Sequence, residues 1–409
     1  MHSPNKKWHI AIMLAFAGMV NYADRAAISA VFPLLRSELA LSDVALASLG
    51  SVFLWSYSAF SPFAGFLCDR FSRSKMIIFS LASWSLVCGM TGFATSLPQL
   101  LFLRVLLGLA ECLYLPSATA LLAEHHGVST RGTAMSIHSI GLNLGVVGGG
   151  TLAGYLGDRL GWRPGFWVLG LIGLALAAVA SFVMTDGPDG AVRRAGQPIL
   201  RSLKELVAIP SYLLVLSKAM MVGVGVWIFY NWLPLYYLET FHMSLASAGF
   251  AGTFLLQAAS ITGIGVGGFV SDRLAKRDIR NRMLLQAIGY ICASPFLLVF
   301  LGTPSFAMAS TAVFGFALMR GFGHASENPT ICDVVPPRLR STAIGFMNTG
   351  ATLAGGIGVF VVGFLKRDFG LAGVFAGIPV LHVIAACLAL IAYFFFVTKD
   401  IERQRADPG

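Results

Sequence analysis

Apolar runs long enough to cross about 30 Å of hydrocarbon recur along the chain, separated by short polar breaks. They fall at 8–36, 43–67, 76–95, 98–124, 132–157 and 163–185, and resume at 208–238, 244–270, 283–303, 305–328, 341–365 and 370–397. The pattern predicts an all-α membrane protein with twelve transmembrane helices, spans 1 to 12, in two six-helix bundles. One long polar connection, DGPDGAVRRAGQPILRSLKELV at 186–207, reads as a cytoplasmic linker by its Gly, Pro and basic content. The expected organisation is an N-terminal bundle over 1–185, the linker over 186–207 and a C-terminal bundle over 208–409.

Composition adds that lipid is the main solvent. Charged residues make up 12% and the mean hydropathy is +0.75, whereas soluble domains carry about 25% charged residues. The net charge of +10 does not point to nucleic acid, because of where it lies. Of 29 Lys and Arg, twenty fall on one side of the predicted membrane, five on the other and four within it. That asymmetry is the positive-inside rule and places both termini in the cytoplasm, as expected for a multi-pass protein of a cell's inner membrane. The opening residues lack a convincing cleavage site, so the first apolar run reads as span 1 and not as a signal peptide. The six cysteines lack paired spacing and read as packing residues, with no disulfide framework or zinc site.

The two bundles repeat one another. Gly65-Phe66-Leu67-Cys68-Asp69-Arg70 after span 2 echoes Gly268-Phe269-Val270-Ser271-Asp272-Arg273 after span 8, and Arg131-Gly132-Thr133-Ala134-Met135 echoes Arg340-Ser341-Thr342-Ala343-Ile344. Parallel repeats of this kind predict a solute site between the halves near the midplane. These residues resemble the major facilitator superfamily over essentially the whole chain. Its loop signature, Gly-x-x-x-Asp-Arg-x-Gly-Arg-Arg/Lys, stands here as Gly65 to Lys75, with Ser72 at the inner glycine and the last cation displaced by one. The resemblance implies a cytoplasmic gate built from Asp69, Arg70 and Arg73, with Asp272 and Arg273 as the repeat's counterpart, and a transporter that is no enzyme, needs no cofactor and works as a monomer.

An ionisable residue at helix centre costs about 2.5–3.5 kcal/mol on insertion scales, so each asks for a partner and a purpose. Asp24, Arg25, Arg104, Glu111, Lys218 and Arg320 stand out. Neighbouring helical residues point about 100° apart, so Asp24 and Arg25 are expected to meet different partners. Arg104 and Glu111, seven residues apart, share a face of span 4 about two turns from each other. Two acids and two bases on spans 1 and 4 make a buried relay able to pick up and release a proton. The shift of 209 residues from Arg131 to Arg340 carries Glu111 onto Arg320, which predicts that the two face each other across a cavity and that the lone cation suits an anion. Lys218 reads as a residue reaching to the cytoplasmic surface, Glu327 as a gate or end charge, His324 as packing and His138 as cavity lining. Tyr22, Tyr57 and Asn143 in the first half, with Trp227, Tyr230, Asn231, Gln257 and Asn348 in the second, supply the aromatic and amide groups of a pocket for a polar solute.

Asn21-Tyr22-Ala23-Asp24-Arg25, Pro33-Leu34-Leu35 and the Arg104–Glu111 spacing resemble the organic-anion branch of the superfamily, the anion:cation symporters including sialin-like and sugar-acid transporters. That likeness implies that Asp24 and Glu111 carry protons, that Arg104 supports them, and that Arg and Tyr residues serve a carboxylate. The same helix 1 and helix 4 residues also resemble the Spinster-like branch, which moves lipid-like or amphipathic solutes. Gly141, Gly145 and Gly149 of span 5 stand at the close-packing period and resemble the antiporter signature, except that Val146 occupies the proline position, which speaks against a multidrug exporter. Gly263-x-Gly265-x-Gly267 lies within a helix and follows no strand, so it is no nucleotide loop; Glu124-His125-His126 has no metal-site spacing. No ATP-binding motif is present. The expectation is a proton-coupled symporter of a small organic anion, with export of amphipathic solutes by proton antiport as the alternative.

Overall fold

Proline and glycine decide where the predicted spans break. The computed structural model describes residues 6–186 and 199–406, and these form helices joined by short connections, with no strand among them. Span 1 is two helices, α1 (Lys6–Ala30) and α2 (Phe32–Leu39), because Pro33 lacks the N–H that would continue the ladder; the break falls at Val31, φ −103° and ψ 8°. Ala40, in the left-handed region at φ 51°, ends α2, and the Ser42 hydroxyl accepts from Ala45 N–H to cap α3 (Asp43–Arg70). Then come α4 (Arg73–Thr91), α5 (Leu97–Glu111), α6 (Tyr114–His125), α7 (Val128–Leu160) and α8 (Arg163–Val183). Most of the linker lies outside the described residues; its end forms α9 (Ile199–Val207). The second half runs α10 (Pro210–Phe241), α11 (Leu245–Ala275), α12 (Asn281–Leu297), α13 (Phe306–His324), α14 (Glu327–Val334), α15 (Arg340–Ile391) and α16 (Val397–Ala406).

Ten described stretches are long and apolar enough to cross a membrane. One of them, Pro337–Arg403, holds two spans that meet at Gly370, whose φ of 65° is cheap only for glycine. Helix α1 is 25 residues long but diluted by its polar stretch from Asn21 to Arg25. Counting both gives the twelve spans expected. Span 4 and span 10 are each broken, at Cys112–Leu113 and at Ala325–Ser326, with Pro116 and Pro329 just beyond. Each break lies beside a buried carboxylate, Glu111 or Glu327.

By contact the chain divides into two units. Unit 1 is Met1–Arg194 with Tyr230–Thr253, the facing ends of α10 and α11; unit 2 is Ala195–Phe229 with Phe254–Gly409. In unit 1, α7 lies on α1 along a glycine ladder: a Cβ at Gly141, Gly145 or Gly149 would stand 2.1–2.2 Å from the carbonyl oxygen of Ala15, Met19 or Ala23. In unit 2, Gly263 and Gly267 of α11 meet the backbone of Leu318 and Phe322 in the same way, so that glycine-rich stretch serves helix packing. The internal repeat extends to its ion pairs. Arg73–Glu124 corresponds to Arg282–Asp333, and the Arg131 Nε bond to His126 O corresponds to that of Arg340 to Val335 O, both 3.2 Å, all at the 209-residue shift.

Candidate functional site

The polar stretch of α1 meets the end of α5 inside unit 1. Arg25 Nε donates to Glu111 Oε2 at 2.6 Å, and Glu111 is fully buried. The guanidinium lies over three rings, with its carbon 4.7 Å from the Tyr22 centroid, 4.8 Å from Tyr57 and 5.1 Å from Phe53. This aromatic cage supplies cation–π attraction and holds the planar fork in one orientation. Asp24, 1% exposed, sits beside Glu111, so that the two carboxyls can share a hydrogen bond once one carries a proton. Without such a proton neither Asp24 oxygen has a donor, and Glu111 Oε1 also lacks one. Arg104 is buried in the same electrostatic neighbourhood, its Nε without an acceptor. The expectation that Asp24 and Arg25 serve different partners is thus corrected. Their Cα–Cβ bonds diverge, but Glu111 lies where both reach it.

Packing explains why the cluster forms. Gly108 on α5 allows contact with α3: a Cβ there would stand 2.1 Å from Ser56 Oγ and 2.9 Å from Phe53 O and Tyr57 N. This close approach presents Phe53 and Tyr57 to Arg25. Gly149 seats α7 against Ala23, the residue before Asp24.

The other candidates are distributed as follows. His138, expected in a cavity wall, is buried against α6, its Nε2 2.9 Å from Tyr114 Oη, which also donates to Leu14 O. Asn143 donates to Ser139 O. Tyr230 and buried Asn231 belong to unit 1, the unit that holds the charge cluster. Unit 2 holds Trp227, whose indole fills the space left by Gly355, buried Gln257, exposed Asn348, and Arg320, whose Nη2 donates to Ser260 Oγ at 2.7 Å. Of the gate residues, Arg73 pairs with Glu124, Arg70 and Arg273 are exposed, and Asp272 is 72% exposed, 3.4 Å from Arg282. The side chain of Asp69 lies outside those described.

Two features escaped the sequence reading. Asp158, at the end of α7, accepts from the backbone N–H groups of Leu245 and Ala246 at 3.0 Å each, capping α11; its signal was the Gly-x-x-x-Asp-Arg spacing of Gly154, Asp158 and Arg159, the same as that of Gly65, Asp69 and Arg70. Lys218, read as reaching to the surface, is fully buried instead, donating at 2.5 Å to both Gln286 Oε1 and Glu327 Oε1. Its signal was available: a lysine and a glutamate in the apolar runs of two spans of one bundle form a natural pair.

The Major Facilitator Superfamily model matches residues 14–359. The "Probable galactarate/D-glucarate transporter GarP" of Escherichia coli K12 is 27% identical over 97% of this chain and 96% of its own length. The "Probable sulfoacetate transporter SauU" of Cupriavidus necator is 28% identical over 86% and 85%, and the "Hexuronate transporter" of Bacillus subtilis 25% over 97% and 96%. Among solved structures, a bacterial homologue of the human lysosomal transporter Spinster, inward-facing and unoccupied, matches over all of both chains with a TM-score of 0.81 at 21% identity, a likeness of fold.

Proposed function

The chain belongs to the Major Facilitator Superfamily, so it is a multi-pass membrane transporter and not an enzyme, and on that premise we propose that it moves a small organic anion, of the sugar-acid or sulfonate-acid kind, together with protons by alternating access. The observation that carries this reading is the pairing of Arg25 with Glu111 beside an Asp24 that has no donor of its own. A guanidinium held by one carboxylate is a cation on loan. When Glu111 takes a proton, Arg25 loses its counter-charge and is free to receive a substrate carboxylate through the same fork. Loss of that proton restores the pair and expels the anion. Substrate and proton then travel together because each makes room for the other. Tyr22 and Tyr57, already stacked on Arg25, orient the anion, and Asp24, with Arg104 behind it, exchanges the second proton. Asn231 and Arg320 are the further polar and cationic groups assigned to the anionic solute in this reading.

Relatives whose printed names are galactarate/D-glucarate, hexuronate and sulfoacetate transporters support the substrate class. The Spinster likeness is one of fold and favours no amphipathic substrate over it. The charge asymmetry supports an inner-membrane protein with both termini in the cytoplasm. The test is uptake into proteoliposomes across a panel of carboxylates, D-glucarate, D-galacturonate and sulfoacetate among them, with an imposed pH gradient. Accumulation driven by acid outside supports the reading; transport of lysolipids or drugs with no carboxylate uptake sinks it.

A further inference from the structure

Unit 2 holds a buried charge cluster for which the scheme above has no use. Lys218 of α10 is fully buried and its ammonium has two acceptors, Gln286 Oε1 and Glu327 Oε1, with the Tyr290 ring 5.6 Å away. Gln286 is itself fixed, its Nε2 donating to Thr330 Oγ1 at 2.9 Å and to Ser326 O. The second oxygen of Glu327 faces His324 Nδ1 at 2.8 Å. The His324 side chain is 41% exposed, while Glu327 and Lys218 are 5% and 0% exposed. One titratable ring at the edge is therefore joined to an otherwise enclosed ion pair. The break between α13 and α14 makes this possible, because it turns His324 and Glu327, three residues apart, onto one acceptor–donor line.

We propose that His324, Glu327 and Lys218 form a second proton-binding site, separate from the Asp24–Glu111 cluster, in which protonation of the exposed imidazole is transmitted through Glu327 to Lys218 on α10. The neutral ring must carry its hydrogen on Nδ1 to donate to Glu327 Oε2, which leaves Nε2 as the acceptor. A proton added at Nε2 breaks no hydrogen bond and takes the cluster from neutral to a net charge of +1. The imidazolium then competes with the Lys218 ammonium for one carboxylate, and that competition is felt in α10, nine residues before Trp227 and thirteen before Asn231. The remaining titratable and charged groups facing the cluster are Tyr290 of α12 and Arg320, one turn before His324; His382 of α15 lies behind Tyr290. The pairing of Lys218 and Gln286 contrasts with the donor-less oxygens of Asp24, and it suits a site that senses a proton and passes on the change without trading partners.

The test needs no transported substrate, so it stands or falls apart from the organic-anion reading. Purified full-length protein in nanodiscs, with histidine and lysine labelled by ¹⁵N, is titrated by NMR, with His324 and Lys218 assigned by their loss in H324N and K218M. The expected result is that the Lys218 resonance moves with the same midpoint as the His324 ring, and that this movement disappears in H324N, whose amide keeps a donor toward Glu327 but does not titrate. E327Q should displace the His324 midpoint, and D272N, at an exposed and loosely paired carboxylate, should leave it in place. Because E327Q leaves a buried lysine uncompensated, the double variant K218M/E327Q gives the same comparison with both charges gone. A His324 midpoint unchanged in E327Q and in the double variant, or a Lys218 resonance indifferent to His324, overturns the proposal.

Discussion

Adding one methyl group at Gly149 tests whether the glycine ladder holds the charge cluster in place. A Cβ there would stand 2.1 Å from the carbonyl oxygen of Ala23 and 2.3 Å from its Cα, where ordinary contact begins at 3.4 Å. Backbone cannot swing aside as a side chain can, so α1 and α7 must part by about 1.3 Å, and a close-packed interior transmits that shift. Overpacking of this kind costs about 1–3 kcal/mol. Ala23 is bonded to Asp24, so the same shift moves Asp24 and Arg25 relative to Glu111. Ångström-scale misplacement in preorganised sites costs on the order of 100-fold in rate, and Gly149→Ala should therefore lower initial uptake by at least about tenfold. Gly148, whose Cβ would meet nothing within 4 Å, is the control; Gly148→Ala should stay within about 0.5 kcal/mol of the parent. The assay is uptake into proteoliposomes, with thermal unfolding of the same samples. Wild-type transport and an unchanged unfolding midpoint in Gly149→Ala would refute the argument.

Arg25→Lys keeps the charge but loses the fork that stacks on three rings, so carboxylate transport should drop by at least about tenfold while protein yield and unfolding stay close to the parent; a rate equal to the parent contradicts the caging role. Burial raises the Asp186 carboxyl, but bonds from Ser72 and from the N–H and hydroxyl of Ser74, with Arg73 nearby, outweigh it and hold it below the usual carboxylate range. Its contribution is therefore present above the ordinary range and lost as pH falls through the depressed folded value. In Asp186→Asn, unfolding midpoints measured across acid pH should lose part of the parent's acid sensitivity. Replacing Asp158 by Ala removes the acceptor for two N–H groups of α11 and should cost about 0.5–2 kcal/mol by thermal unfolding; Asp158→Asn, which keeps one acceptor, should cost less.

The fold was legible because lipid imposes long apolar runs, and the repeat because Gly65–Arg70 and Arg131–Met135 recur as Gly268–Arg273 and Arg340–Ile344. The breaks inside spans were harder. Pro33 and Pro116 marked two of them, yet apolar flanks concealed the change of direction. Asp24, Arg25 and Glu111 were conspicuous as charges in hydrocarbon, but their grouping was not, because an argument from helical angles ignores the reach of an arginine side chain. Phe53 went unnoticed for a related reason: a phenylalanine in an apolar run looks like any other until Gly108 brings α3 against α5. Lys218 was misread since its position near a helix end fits a lysine reaching for water equally well. The sign that favoured a buried pair was Glu327 in the apolar run of span 10.

The central claim is that Glu111 exchanges a proton for its bond to Arg25 in each transport cycle. It is tested most directly by following luminal pH with a trapped dye while D-glucarate enters proteoliposomes with no imposed gradient. The account predicts that the lumen acidifies as the anion enters, and that Glu111→Gln abolishes acidification while glucarate–glucarate exchange persists. Glucarate entry without any proton movement in the parent protein, or acidification that survives in Glu111→Gln, would contradict it.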